Sequence, residues 1–509
     1  MESNGIGNGL VNGRFDNSLV GLANGRIGSE QMISEANTFI FTIKTTSTRT
    51  LDLPLVVGGT YNFWIDWGDG KKDYITTYNQ TNTTHTYPTA LKEYTVKITG
   101  ICKGWSYNGL STEAAKLTSI KRWGCLEMID DLLGNQFNQC SNCDFFNVLD
   151  NLNLGNLSYF RATFSSCGTI NIGLINNWNV SQVTNIGFLF QNDSIFNQPL
   201  NNWNTSNITD MAATFNVCNS FNQPLDNWDT SSCINMSSMF LNAIKFDQDI
   251  NVWDVSKVIN MNNMFGSASA FNEPLYGWNT SACTNMQSMF SNAIVFNQNI
   301  NNWDVSKVTI MQSMFNVASA FNQPLSGWNV SACTNMVNMF NLATSFDQNI
   351  GNWNVSQVTI FTGFMANKTP ATFSTTNLDA IYNGWIKNEL QKSMSITFGT
   401  AKYSSGGTSV STESRALLSR TSVVDLTITG FTNNGGLVRI GVSGATGLNT
   451  NNKIFIKNVN PSYVNGLWSI TIATTTTFDL QGSTFGASYV SGGTLIRTYA
   501  WTITDGGPV

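Results

Sequence analysis

Few residues in this chain combine the types and spacing that chemistry needs. The only histidine, His85, follows closely on Asp66 and Asp69, and an imidazole with carboxylates can move protons or ligate a metal. Cys140-Ser-Asn-Cys143 has the spacing of half a zinc site. Eight tryptophans, Trp178, Trp203, Trp228, Trp253, Trp278, Trp303, Trp328 and Trp353, recur at an unbroken spacing of 25 residues, and a row of indoles can act as a sugar-stacking platform. Phe stands seven residues before the Trp (Phe196, Phe221, Phe246, Phe271, Phe296, Phe321, Phe346), and Met eight after it (Met211, Met236, Met261, Met286, Met311, Met336). Such a stripe suggests a soft-metal or cofactor box.

Most of this chemistry gives way to packing. Residues that return in every unit fill a continuous core, whereas a specific site would break the pattern at one or two units. The Trp, Met and Phe columns are therefore read as core. The CxxC pair has no second pair at zinc-finger spacing and its only candidate His lies far off in sequence, so both cysteines read as small apolar filler. Nine cysteines cannot all pair within the chain. Cys233, Cys283 and Cys333 sit two units apart, about 10 Å at ~4.8 Å per stacked strand, beyond the ~7 Å Cα limit of a disulfide. Glycan hydrolysis needs paired carboxylates in a groove, yet the Asp after each Trp alternates with Asn, as at Asp254, Asp304 and Asn354. No catalytic residue, cofactor or metal is expected.

A period of 20 to 50 residues marks stacked coils, because one unit cannot bury its apolar face alone. The positions five, eight and twelve after Trp have helical spacing, which predicts one or two helical turns in segments such as VTIMQSMF. The Ile-x-x-Trp-x-Val stretch is predicted to be extended, with Asn and Asp in the turns. Each coil then reads as strand, turn and short helix. A second period of 50, carried by Pro224, Pro274 and Pro324, points to duplication of a two-coil unit.

Charged residues make up only 11% of the 509 residues, against a usual ~25%. A net charge of -5 without a Lys/Arg cluster argues against nucleic acid as a partner. No window has the ~18 apolar residues of a membrane span, and the first residues lack the basic and apolar regions of a secretory signal.

Segments such as FNQNINNWDVSKVTIMQSMFNVASAF, within roughly residues 150–369, resemble the 25-residue repeats of the BspA-like bacterial surface protein family. The resemblance implies leucine-rich-repeat-like coils displayed for adhesion. The fold class is therefore expected to be a mixed α/β repeat solenoid flanked by β-sandwich and other β-rich modules. Ahead of Trp178, in NLNLGNLSYFRATF, Asn153 is placed in the Trp register. Trp67-Gly68-Asp69-Gly70, His85-Thr86-Tyr87 and Tyr94-Thr95-Val96-Lys97-Ile98 resemble the polycystic-kidney-disease (PKD) type of immunoglobulin-like domain. That resemblance makes Asp66, Asp69 and His85 structural. NGLWSITIATTTTFDLQGSTFGASYVSGGT, through residues such as Asn465, Trp468, Phe478, Ser483, Tyr489 and Gly493, resembles a β module of bacteriophage structural proteins.

These readings divide the chain into a Gly/Asn-rich docking arm (1–35), a β-sandwich (36–101), irregular first coils (102–177), the repeat (178–369), a cap (370–421 and 497–509) and an inserted β module (422–496). A Gly/Asn-rich arm orders only against a partner, and Leu10, Val11, Phe15, Leu19, Val20, Leu22 and Ile27 are its candidate anchors. The expected function is that of a structural, non-enzymatic bacteriophage virion protein, a head fibre, capsid decoration or tail-associated adhesin. Its expected partners are other virion proteins, a host surface glycan or protein, and a second copy of the chain. The alternative is a bacterial cell-surface adhesin.

Overall fold

The computed structural model describes residues 35–130, 134–146, 148, 150–168, 171–404, 410–420 and 425–509. Near the N-terminus, alternating apolar residues build an antiparallel sheet. TYNFWID in β3 (Thr60–Asp66) turns Tyr61, Phe63 and Ile65 inward and leaves Asn62 and Trp64 outside. The sheet order is β4 (Lys72–Ile75), β3, β6 (Glu93–Lys103), β1 (Thr38–Lys44), β7 (Leu117–Arg122), with β8 (Leu126–Glu127) on β6. A small second sheet pairs β2 (Thr50–Asp52) with β5 (Thr84–Thr86). Strand β6 runs through residue 101, and β7, beyond it, pairs with β1. The sheet hands over directly to the coils through parallel bridges Ser119 to Asp144 and Glu127 to Asn153.

From there single-residue parallel bridges run from coil to coil: Tyr159, Asn185, Asp210, Asn235, Asn260, Asn285, Ile310, Asn335 and Ile360. The expected mixed α/β architecture is not what forms. The fold is mostly β, with three short α-helices among the described residues, α1 (Ser111–Ala114), α2 (Thr375–Trp385) and α3 (Val410–Ser419), and none lies in the repeat. The reason is visible in the backbone of one coil. Met211, Ala213, Phe215 and Val217 donate their N–H groups to the carbonyls of Asn235, Ser237, Met239 and Leu241 in the next coil, at 2.8–3.0 Å. A helix would have used those donors internally. Thr214, Asn216 and Cys218 instead close three-residue turns onto Met211, Ala213 and Phe215, and Ala213 and Val217 are left-handed (φ 54° and 63°). Successive turns also bring side chains to one side every three or four residues, so they imitate helical spacing.

The preceding unit is one residue longer: Tyr159 and Asn185 are bridged 26 apart. Leu152, which is buried, therefore holds the Trp register, and Asn153 is exposed.

At the far end α2 closes the stack. Ser374 caps it, and Leu378, Ile381, Tyr382 and Trp385 are buried. A parallel pair, β9 (Ser395–Thr397) with β16 (Thr502–Thr504), follows on, with Phe361 bridged to Ile396. Between α3 and β16 a closed six-stranded barrel forms in the order β10 (Leu426–Asn434), β11 (Leu437–Val442), β14 (Thr477–Leu480), β13 (Gly466–Ile472), β12 (Lys453–Asn460), β15 (Ser491–Ile496). It has its own core, including Ile440, Ile456, Phe478 and Leu495. Its chain ends meet at the cap, where Thr498 Oγ1 donates to the Arg420 carbonyl at 2.6 Å and Tyr499 N–H to that of Leu417 at 3.0 Å. Among the described residues no helix is long and apolar enough to cross a membrane.

Candidate binding surfaces

The eight repeating indoles point inward, each at most 3% exposed, so they offer no platform to a ligand. From Trp203 to Trp353 each Nε1 donates to the carbonyl of the Ile or Leu 28 residues earlier, at 2.8–3.1 Å. Trp385 of α2 makes the same bond to Ile350 at 3.0 Å and so extends the series by one step. Trp178, the first, finds no partner for its Nε1 among the described residues. The seven arm anchors, Leu10, Val11, Phe15, Leu19, Val20, Leu22 and Ile27, lie outside the described residues.

His85 and Asp69 do come together, His85 Nε2 lying 2.9 Å from Asp69 Oδ2. Burial raises the Asp69 carboxyl, but the bond to His85 and the Lys71 N–H outweigh it, and the group titrates below its usual range. The imidazole stacks on Trp67 at 4.5 Å and meets Tyr87 edge-on. Both Asp69 oxygens are engaged, one by His85 and one by the Lys71 N–H, while Asp66 accepts from the Gly68 N–H. This arrangement fixes a turn and buries the His85 and Asp69 side chains. Cys140 and Cys143 are buried free thiols that burial pushes up, hence unreactive. Among the described residues no group of three or more His, Cys, Asp or Glu is placed to hold a metal ion.

The polar columns also serve the backbone. Asn and Asp after each Trp accept from the N–H two residues on, as Asp254 does from Ser256 and Asn329 from Ser331. Only an acceptor oxygen is required there, which is why the two residue types alternate. Asn222, Asp247 and Asn272 form a ladder in which each side chain accepts from the next coil's backbone.

Two surfaces remain. Stacked Trp rings lie 6.0–6.4 Å apart and the Phe rings twelve residues later 5.5–5.8 Å, against ~4.8 Å for bridged strands. A pure translation would give every column one spacing, so the stack curves with its bridge ladder on the concave side. The concave column, exposed from Thr209 onward, reads Thr184, Thr209, Ile234, Ile259, Thr284, Thr309, Thr334, Thr359. Its threonine hydroxyls donate to the preceding coil's backbone at 3.1–3.3 Å. That leaves a stripe of methyl groups around Ile234 and Ile259.

The second surface lies at the Trp end of the two central coils. Val252 replaces the Asn found at Asn202, Asn302 and Asn352, and Tyr276 stands where other coils have Asp226 and Ser326; both are exposed. Glu273 interrupts a column of Gln, and its carboxyl is raised by burial and by Asp247 and Asp249. These residues were missed in the sequence because they occur once, and the signal that finds them is departure from the repeat at exposed positions.

Comparison with curated proteins and with solved structures finds no match for this chain. Residues 158–278 and 268–377 do match one family model, described as a Mycoplasma protein of unknown function, DUF285, so the coils are similar to that family while the flanking sheet and barrel lie outside the match.

Proposed function

We propose that this chain is a structural, non-enzymatic protein of a bacteriophage particle, a head fibre, capsid decoration or tail-associated adhesin, whose curved coil stack presents an attachment surface. The observation that carries the reading is the barrel. It is a closed module with its own core, its chain ends joined at the cap, and it holds the residues that resemble phage structural modules. Those residues do specific work in it. Ser483 Oγ accepts from the Val438 N–H and donates to the Leu480 carbonyl. Gly493 is left-handed (φ 109°), and a Cβ there would lie 2.3 Å from Val459. The uncharged concave stripe supports a display role, since repeat proteins bind along such surfaces. The arm at 1–35 is proposed to dock on other virion proteins, with a second copy of the chain as a further partner.

Mass spectrometry of purified particles tests this, and the polypeptide is expected at stoichiometric abundance. One observation favours a second reading, a bacterial cell-surface adhesin: the coils match a family described from Mycoplasma. Release of the chain by protease from intact cells, with none in particles, would replace the first reading by the second.

A further inference from the structure

The outer face of the N-terminal sheet carries an aromatic pair that neither the core nor the repeat requires. Trp64 on β3 lies directly opposite Tyr74 on β4, with ring centroids 5.1 Å apart and planes at 41°. Trp64 is 57% and Tyr74 44% exposed. Tyr74 donates its hydroxyl hydrogen to Asn62 Oδ1 on the same face, which holds its ring in place before any ligand arrives. On its other side Trp64 faces Thr99 of β6.

We propose that Trp64 and Tyr74 form a stacking platform for a neutral pyranose glycan. The face of an aromatic ring is electron-rich, and the C–H-bearing face of a sugar ring is its natural complement. The two rings lie side by side, 5.1 Å apart, and together present one continuous exposed aromatic surface. Aromatic side chains also give large contact area at small entropic cost. The hydroxyl and amide of Tyr74, Asn62 and Thr99 flank the rings with groups that hydrogen-bond to sugar hydroxyls. A protein chain fits this face poorly: two half-exposed rings amount to roughly 250 Å², against ~800 Å² buried by each partner in a stable interface. Lys72 and Lys97 at one end of the platform share one carboxylate, since Lys72 pairs with Asp66 at 3.3 Å and Lys97 stands opposite that same Asp66, so a polyanion would have to compete with it. The inference goes beyond the display reading and holds whichever surface carries the chain.

The full-length protein and its Trp64→Ala, Tyr74→Ala and Trp64→Phe variants are applied to a printed array of neutral and acidic glycans. Affinity electrophoresis through gels containing hydroxyethyl cellulose, dextran or yeast mannan accompanies it. Both positions face solvent, so the thermal midpoints of the variants should match wild type, and a variant whose midpoint falls is replaced by Trp64→Thr or Tyr74→Thr. Wild type is expected to bind neutral pyranose glycans, each alanine variant about tenfold more weakly, and Trp64→Phe in between. Absence of binding to every neutral glycan, binding to acidic glycans alone, or neutral-glycan binding undiminished in a folded Trp64 variant would overturn the proposal.

Discussion

The indole ladder can be tested one bond at a time. In a central coil, Trp303 is 2% exposed and its Nε1 donates to the Leu275 carbonyl at 3.0 Å. Trp303→Ala removes the ring and strands that carbonyl, and large-to-small replacement of a buried Trp costs about 3–5 kcal/mol. Trp303→Phe retains most of the apolar volume but deletes the donor. Its cost combines a small cavity with a lost hydrogen bond worth about 1 kcal/mol net, and more for a buried carbonyl left unpaired. The expected order of denaturant midpoints is therefore wild type, then Trp303→Phe lower by about 1–2 kcal/mol, then Trp303→Ala. Urea unfolding followed by circular dichroism, with the slope checked for constancy, supplies the numbers. A Trp303→Phe variant as stable as wild type would show that the ladder bond contributes nothing and that ring packing alone holds the coils in register.

Three further outcomes are expected. Val317 is a β-branched residue held left-handed at φ 61° where other coils have Asn242 and Asn292, so Val317→Asn should raise stability by about 1 kcal/mol in the same unfolding assay; a loss would show that Val317's packing outweighs its backbone strain. The Asp193 carboxyl is fully buried and pushed up to about 8 by that burial, so it stays protonated in the fold where the unfolded chain has ionised. Stability should then fall as pH rises from about 4 to 8, by up to roughly 1.4 kcal/mol per unit. Asp193→Asn keeps an acceptor for the Cys167 and Gly168 N–H groups and should be stabilising at pH 7 but not at pH 4; a gain independent of pH would refute the titration. Joining Thr421 to Arg497 without the barrel should leave the coils and cap folded by circular dichroism and protease resistance, because the chain ends meet at Arg420 and Thr498. The midpoint should drop modestly, since Phe455 and Ile496 pack into the main core, and collapse of the whole protein would show that the barrel is integral to it.

The length of the repeating unit was legible because Trp, Phe and Met are large and identical columns of them have one place to go. The backbone that carries them was not. Turns and helices both return a side chain after three or four residues, and only the left-handed residues at positions such as Ser238 and Asn242 separate the two. Those residues are Ser, Asn, Ala, Val, Leu, Phe and Gly as the coil changes, so no single residue type announces them. Trp385 escaped the ladder because it follows Trp353 by 32 residues instead of 25, the extra length being taken up by the capped turn into α2. Exposed candidates were hidden for the opposite reason. Tyr276, Val252 and Glu273 are singular, and alternation in β3 shows that Trp64 points away from the core without showing that Tyr74 stands beside it.

One column shows how the sequence treats the ends of a stack that could otherwise grow without limit. Fifteen residues after each Trp the chain places Asp193, Cys218, Ala243, Ala268, Ala293, Ala318, Ala343 and Lys368. In the middle, consecutive coils close over one another and only a small side chain fits. Toward the first coils Asp193 accepts from the Cys167 and Gly168 N–H groups at 2.7 and 3.0 Å. At the last coil no further coil continues the pattern, and Lys368 folds back to donate to the carbonyls of Ala343 and Phe346, its ammonium lowered to about 8 by burial. Near the first coils an acceptor meets backbone N–H groups, and at the last coil a donor meets backbone carbonyls, of which that of Ala343 also accepts from the Phe346 N–H. Each buried polar group is tolerated because it is paired with backbone groups in the core. The same logic explains why α2 presents Trp385 to Ile350: what closes the stack must supply the bond that the next coil would have made.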